Sequence, residues 1–292
     1  MALDKATWIC HGFERFGMDL KISDLKISDL KARDELAVEL GNIVSEAGQA
    51  IMAVQAAEIG ARRKSDGSPV CRADIKAEEL ILARLAAIMP DIPVIAEESF
   101  APDHGEAVPE RFLLVDPLDG TREFLSGHND FTVNIALIEA GDPIVGAICA
   151  PALGQVYVAG ETAFRADVAA DGGVADALKV IKTSPVASAG LRALASRSHM
   201  NPGTEHWLAQ RPVADLQRAG SSLKFCLIAR GDADVYPRIA PTMEWDTAAG
   251  HAIVNAAGGC VLGLDGSPLR YGKKDDGFKN EGFIAWGRKP VG

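Results

Sequence analysis

Positive charge is scarce in this sequence. Thirty Lys and Arg stand against 40 Asp and Glu over 292 residues, a formal net charge of −10. No basic stripe offsets that balance, so a nucleic-acid polymer is not an expected partner. Ordered cysteine spacing is missing too. Cys10, Cys71, Cys149, Cys226 and Cys260 are scattered and never form CxxC, which argues against a disulfide framework and a zinc knuckle. No apolar run approaches the roughly 20 residues of a membrane-spanning helix. The opening Met1-Ala2-Leu3-Asp4-Lys5-Ala6 lacks the basic-then-apolar succession of a signal peptide. A cytoplasmic protein without an integral membrane segment is therefore expected. Neither GxxxxGK[ST] nor a GxGxxG after a strand occurs, so no triphosphate cradle is implied, and the absence of HExxH leaves zinc without a case.

What is present is enough apolar material, 48%, to fill a sizeable core. Residues 1–30 are charged and carry Lys-Ile-Ser-Asp-Leu twice over Lys21 to Leu30, which reads as an N-terminal extension. From Asp34 to Gly60, Leu36, Leu40, Ile43, Ala47, Ile51 and Val54 recur at spacings of three and four, predicting a long amphipathic helix ended by Gly60. A second helix is predicted over Ala73 to Met89, with Asp74 in its first turn. Short apolar runs bounded by Gly, Pro and Asp then predict strands at 93–96, 112–115, 131–138, 144–150 and 155–159, in a largely antiparallel sheet. Beyond a composition shift at Glu161 to Gly173 the periods alternate: strands at 191–195 and 233–236, helices at 221–230 and 244–257. The expected organisation is an extension (1–30), an α+β half (31–160) and an α/β half (161–292) forming one compact unit.

Carboxylates stand where apolar runs stop: Glu97-Glu98-Ser99 after Val94 to Ala96, Asp116-Pro117-Leu118-Asp119-Gly120-Thr121 after Leu113 to Val115, and Asp246 after Trp245. An acidic chain that handles a phosphorylated substrate needs divalent cations to reverse the local field. Hard oxygen ligands gathered at one sheet edge suit Mg²⁺. In the second segment Pro117 is expected to stiffen a turn, Asp116 and Asp119 to face one cavity, the Leu118 carbonyl to add a ligand, and Gly120 to let a ligand approach the backbone. Alone, Asp-Pro-x-Asp-Gly reads first as a surface turn with helix-capping carboxylates. The three segments together do not.

The set Lys64 to Asp74 (KSDGSPVCRAD), Ala96-Glu97-Glu98-Ser99, Asp116 to Phe124 (DPLDGTREF) and Glu244 to Gly250 (EWDTAAG) resembles the inositol monophosphatase superfamily of Mg²⁺-dependent, lithium-sensitive phosphatases. Arg122-Glu123-Phe124, Phe131 to Ile138 and Gly220 to Cys226 are most similar to its bacterial 3′(2′),5′-bisphosphate nucleotidases. The resemblance implies a layered αβαβα sandwich, an α+β half meeting an α/β half at the metal site. It implies two to three Mg²⁺ ions: Glu97, Asp116 and the Leu118 carbonyl for one, Asp116, Asp119 and Asp246 for another, and a weaker third near Glu97. These ions would clamp the phosphoryl group and acidify an attacking water. Thr121 would orient that water and Asp74 accept the Thr121 proton. Asp74 alone reads as a helix N-terminal carboxylate, and Glu98 is expected off the metal. Cys71 stands where the family usually has Thr, and a packing role is expected for it. A homodimer is a family-level expectation.

The resemblance also implies substrate contacts from Gly120, Thr121, His199, Ser221, Lys224, Arg238 and Asp246. Lys224, after the small residues Gly220-Ser221-Ser222, and Arg238 are the candidates for a second anion site. A guanidinium near where inositol phosphatases tend to place a Glu favours a second phosphate over a sugar hydroxyl. His199 is expected near the adenine, or else is an ordinary loop histidine. The leading expectation is hydrolysis of 3′-phosphoadenosine 5′-phosphate to AMP and phosphate, which clears a by-product of sulfur metabolism. An inositol-1-phosphate or other sugar-phosphate phosphatase, and a non-catalytic metal-dependent nucleotide sensor, are the alternatives.

Overall fold

Leu36, Leu40, Ile43, Ala47 and Ile51 give helix α1 (Leu30–Met52) one buried face, as their spacing predicts. The computed structural model describes residues 30–54, 62–63, 69–101, 107–175, 177–185, 189–198 and 200–289. Residues 1–29 of the expected extension, the expected terminator Gly60 and His199 lie outside the described residues, while Leu30 itself opens α1. After the short antiparallel pair β1 (Arg62–Arg63) and β2 (Pro69–Val70), helix α2 (Arg72–Ile88) starts at an extended Cys71. The Cys71 N–H donates to the Asp74 carboxylate at 2.8 Å, so Asp74 satisfies one of the donors that the helix start leaves open.

Seven strands follow in spatial order: β3 (Val94–Ala96), β4 (Arg111–Asp119), β5 (Thr132–Glu139), β6 (Asp142–Ala150), β7 (Gln155–Ala159), β8 (Ala163–Asp167) and β9 (Lys179–Val180). Only β3 and β4 run parallel; the other pairings are antiparallel. The sheet runs past the expected division at 160/161, and the second sheet begins at Leu191. The expected turn at Asp116 to Asp119 is instead the bulged end of β4. Its register shifts between Asp116 and Asp119, where Pro117 has no N–H to offer the ladder. A five-residue helix, α3 (Thr121–Leu125), follows directly.

The second sheet contains β10 (Leu191–Ser196), β11 (Val213–Ala219), β12 (Val235–Arg238), β14 (Cys260–Gly263) and β16 (Phe283–Trp286), in the order β11-β10-β12-β16-β14. Beside it, β13 (Thr242–Met243) pairs with β15 (Lys279–Asn280). Helix α4 (Pro202–Ala209) lies between β10 and β11 in sequence, while α5 (Leu223–Ala229) and α6 (Ala248–Ala256) follow β11 and β13.

Alternation along β4 and β5 separates two cores. Leu113, Val115, Val133 and Ile135 pack with α1 and α2. Phe112, Leu114, Ala136 and Ile138 share a core with Phe225 and Ile228 of α5, Ile253 and Val254 of α6, and Leu194, Tyr236 and Phe283 of the second sheet. On the second sheet's outer face, Ala193 and Val235 meet Leu208 of α4. The result is the expected five-layer αβαβα sandwich.

Candidate active site

Parallel pairing of β3 with β4 sets Ala96 opposite Val115, so the chain delivers Glu97 beside Asp116 at one end of the sheet. The Glu97 N–H donates to the Val115 carbonyl at 3.1 Å. Glu78 of α2 fixes the next residue, its carboxylate accepting the Glu98 N–H at 2.8 Å. Asp246 arrives from the other half, in the turn between β13 and α6, and its carboxylate accepts the Thr242 hydroxyl and, at 3.2 Å, the Met243 N–H.

One carboxylate oxygen from each of Glu97, Asp116 and Asp246 lies within 4.8 Å of the others. Asp116 is 1% exposed, and its Oδ2 has no hydrogen-bond partner. Burial, then the charges of Glu97, Asp119 and Asp246, push its carboxyl well above the usual carboxylate range. Asp119 is pushed up to about 6 by burial and Asp246, with Lys224 and its hydrogen bonds opposing. Asp246 is raised by burial and Glu97, with Arg238 opposing. Crowded, desolvated oxygens with an orphan acceptor at the centre form a site that a hard divalent cation would relieve. The residues present therefore fit a metal. The expected grouping is redrawn in one respect: Glu97, Asp116 and Asp246 form the compact set. Asp119 stands outside it, its Oδ2 accepting the Ser221 hydroxyl at 2.8 Å and the Ser222 N–H at 2.6 Å.

Thr121 and Asp74 meet at this edge. The Thr121 hydroxyl donates to Asp74 Oδ1 at 2.9 Å and also lies 3.2 Å from the Leu118 carbonyl. The Leu118 N–H turns back to Asp116 Oδ1 at 3.0 Å, which stiffens the bulge. Gly120, at φ 90°, lies in the left-handed region that a side chain resists, and it starts α3 so that Thr121 faces Asp74. Cys71 does more than pack, since its thiol reaches Asp74 Oδ2 at 2.8 Å.

Glu97, Asp116, Leu118, Asp119, Thr121 and Asp246 line a cavity of about 260 Å³ together with Gly120, Arg122, Glu123, Ser221, Ser222, Tyr236, Arg238 and Trp245. Ser221 has φ 55°, an unusual backbone for a serine, and both its hydroxyl and the Ser222 N–H bind Asp119. Ser222 also donates to Asn134 Oδ1 at 2.6 Å and contacts the Thr132 hydroxyl at 2.7 Å. This hydroxyl network joins the two halves and escapes sequence reasoning, because small polar residues on separate strands carry no local pattern.

Lys224 departs from the expectation of a direct anion contact. It is 1% exposed, and its ammonium donates to the Ser221 and Ala219 carbonyls at 2.6 and 3.1 Å, with the Tyr236 ring 4.9 Å away. A buried ammonium takes the nearest acceptors, and here these shape the 219–222 loop. Arg238 lines the cavity, donates to the Pro241 carbonyl at 3.3 Å and leaves its buried Nε without a partner. The nearby charges of Tyr236, Asp246 and Asp119 outweigh its burial and hold its pKa above the ordinary arginine value.

Comparison with known proteins gives the family. The inositol monophosphatase family model matches residues 30–284. The chain is 42% identical over 244 residues to the 3′(2′),5′-bisphosphate nucleotidase CysQ of Salmonella typhimurium, covering 82% of this chain and 95% of that protein. The crystal structure of CysQ from Bacteroides thetaiotaomicron, a bacterial member of the inositol monophosphatase family, superposes with a TM-score of 0.73 at 34% identity, covering 88% of this chain and 98% of that one. A Thermotoga maritima IMPase shares the fold at a TM-score of 0.67 and 24% identity, covering 84% and 89%. No described helix is long and apolar enough to cross a membrane. The chain belongs to the inositol monophosphatase family.

Proposed function

We propose that this chain is a metal-dependent phosphatase that hydrolyses the 3′-phosphate of 3′-phosphoadenosine 5′-phosphate, giving AMP and phosphate, with Mg²⁺ as cofactor. The observation that carries this reading is the convergence at one cavity of a carboxylate trio centred on the buried Asp116, a Thr121 hydroxyl bonded to Asp74, and the cations Arg122 and Arg238. The bisphosphate nucleotidase names of the relatives support the substrate.

Glu97, Asp116 and Asp246 would hold metal, with Asp119 and the Leu118 carbonyl completing two to three sites. Mg²⁺ bound there supplies neutralisation of phosphoryl charge and acidification of the attacking water. The protein's own groups do the positioning. Thr121 donates to Asp74, so its remaining lone pairs are available to accept a proton from water. As the water oxygen bonds to phosphorus and the bond to the 3′ oxygen breaks, the water proton passes to Thr121 Oγ1 and the Thr121 proton to Asp74 Oδ1, while the departing 3′ oxygen takes a proton from solvent water to leave as the hydroxyl. Asp119, held by Ser221 and Ser222, fixes the 219–222 loop against the reacting end of the substrate. Arg238 offers a cation where a sugar-hydroxyl site would use an acceptor, which disfavours an inositol ring.

The test is Mg²⁺-dependent phosphate release from 3′-phosphoadenosine 5′-phosphate and from inositol-1-phosphate at matched concentrations. A nucleotide preference of at least about tenfold in kcat/KM, the effect of one charge-assisted contact, is expected. Preference for the inositol ester would overturn the substrate, and no turnover of either, with nucleotide binding retained, would make the chain a sensor.

A further inference from the structure

We propose that Arg122 reads the second phosphate of the substrate and sets the preference for bisphosphorylated over monophosphorylated ligands, an inference that rests on the phosphatase reading above. Arg122, Lys224 and Arg238 are the cations among the described residues lining the cavity. Lys224 is buried and committed to two carbonyls. Arg238 is bonded to the Pro241 carbonyl and lies within the field of Asp246 and Asp119, so part of its charge is already answered by the protein.

Arg122 differs from both. It is exposed and lines the same cavity, and among the described residues its guanidinium has no hydrogen bond or ion pair, only its backbone carbonyl accepting the Ser126 N–H at 3.0 Å. Its backbone is nevertheless fixed. The Phe124 N–H donates to the Gly120 carbonyl at 3.0 Å, and Phe124 packs edge-on against Phe131 at 5.1 Å. Glu123 is 4% exposed and accepts the Ser198 hydroxyl, tying α3 to the segment that follows β10. A long cationic side chain on a rigid platform, one residue after Thr121, is therefore anchored at the reacting end and free to extend along the cavity.

The chemistry of the ligand explains why such a residue is needed. A second phosphate adds about one and a half to two negative charges. It must enter a chain of net charge −10, through a cavity that Glu97, Asp116, Asp119, Glu123 and Asp246 also line. The carboxylate trio would hold metal that answers the phosphate being hydrolysed. The other phosphate needs its own cation, and an unpaired guanidinium offers a planar fork that matches phosphate oxygens without first breaking a protein bond.

The experiment compares kcat/KM for 3′-phosphoadenosine 5′-phosphate with kcat/KM for adenosine 3′-monophosphate, which keeps the scissile ester and lacks the second phosphate. The pair is measured in the wild type, Arg122→Gln and Arg122→Lys. In Arg122→Gln the ratio of the two values should fall about tenfold or more, with Arg122→Lys in between. A ratio within about twofold of wild type in Arg122→Gln overturns the proposal, including the case in which both substrates lose rate equally. A wild-type enzyme that turns over neither nucleotide overturns the phosphatase reading instead, and that result is seen before any variant is examined.

Discussion

Asp74 divides its two oxygens between separate tasks. Oδ1 takes the Thr121 hydroxyl, while Oδ2 takes the N–H and the thiol of Cys71. Without the Oδ2 contacts the carboxylate could rotate about its own bond, and Thr121 would lose a fixed acceptor. Cys71 is 2% exposed, and burial, the hydrogen bond to Asp74 and the charge of Asp74 push its thiol up to about 12. It therefore stays protonated at neutral pH and acts as a weak donor, with no nucleophilic role. Cys71→Ala deletes that donor while leaving the backbone N–H in place. A several-fold loss in kcat is expected, corresponding to about 1 kcal/mol for one hydrogen bond, with KM little changed. Cys71→Thr should restore kcat, since a hydroxyl is the stronger donor. Steady-state kinetics on the three proteins check this; an unchanged kcat in Cys71→Ala would show that the N–H alone positions Asp74.

At the scale of elements, the site depends on how closely α6 meets α5. A Cβ added at Gly250 would stand 2.3 Å from the ring of Phe225. Phe225 cannot retreat, because Tyr236 and Phe283 hold it at centroid distances of 5.5 and 5.2 Å. Gly250→Ala gains about 1 kcal/mol of helix propensity, yet overpacking costs about 1–3 kcal/mol, so a net loss of up to about 2 kcal/mol, a lowering of Tm by a few degrees, is expected. Asp246 stands in the turn just before α6, so the same displacement should weaken metal binding; calorimetric unfolding and Mg²⁺ titration of the variant check both. These packing relations also explain how far the sequence could be read. Helices α1 and α2 and strands β5 to β7 were legible because burial on a defined face imposes a period on their apolar residues. Strand β11 was not, since Ala214 to Arg218 are exposed and carry no alternation. Nor was α3, at five residues shorter than two helical turns. The carboxylates were legible because they end apolar runs in separate motifs. The 219–222 loop was legible only as small residues before a lysine, and the direction in which Lys224 turns depended on carbonyls that only the folded loop presents.

For the whole molecule, the acidic cluster couples metal, proton binding and stability. Asp116, Asp119 and Asp246 all have raised pKa values in the folded, metal-free chain. Between the ordinary value of 3.8 and about 6 the folded Asp119 binds more protons than the unfolded one, so stability falls as pH rises through that window. Asp116 and Asp246 act in the same direction. His251 opposes them: 5% exposed and bonded to Tyr271 at 3.0 Å, it is lowered to about 3 by burial and, second, by the charge of Arg270. Between about 3 and 6.5 the unfolded state binds the proton that His251 refuses, so its contribution is lost as pH falls. The metal-free stability profile is the sum of the two and does not isolate either. The difference made by Mg²⁺ does, because His251 lies outside the carboxylate trio and contributes equally with and without metal. Bound Mg²⁺ requires the ionised carboxylates and relieves their repulsion. Thermal unfolding with excess Mg²⁺ and with chelator should therefore show a larger Mg²⁺-induced rise in Tm at about pH 8 than at about pH 5, where protons compete for the same oxygens. Equal rises at the two pH values would mean that metal binds away from Glu97, Asp116 and Asp246, and would remove the carboxylate trio from the mechanism.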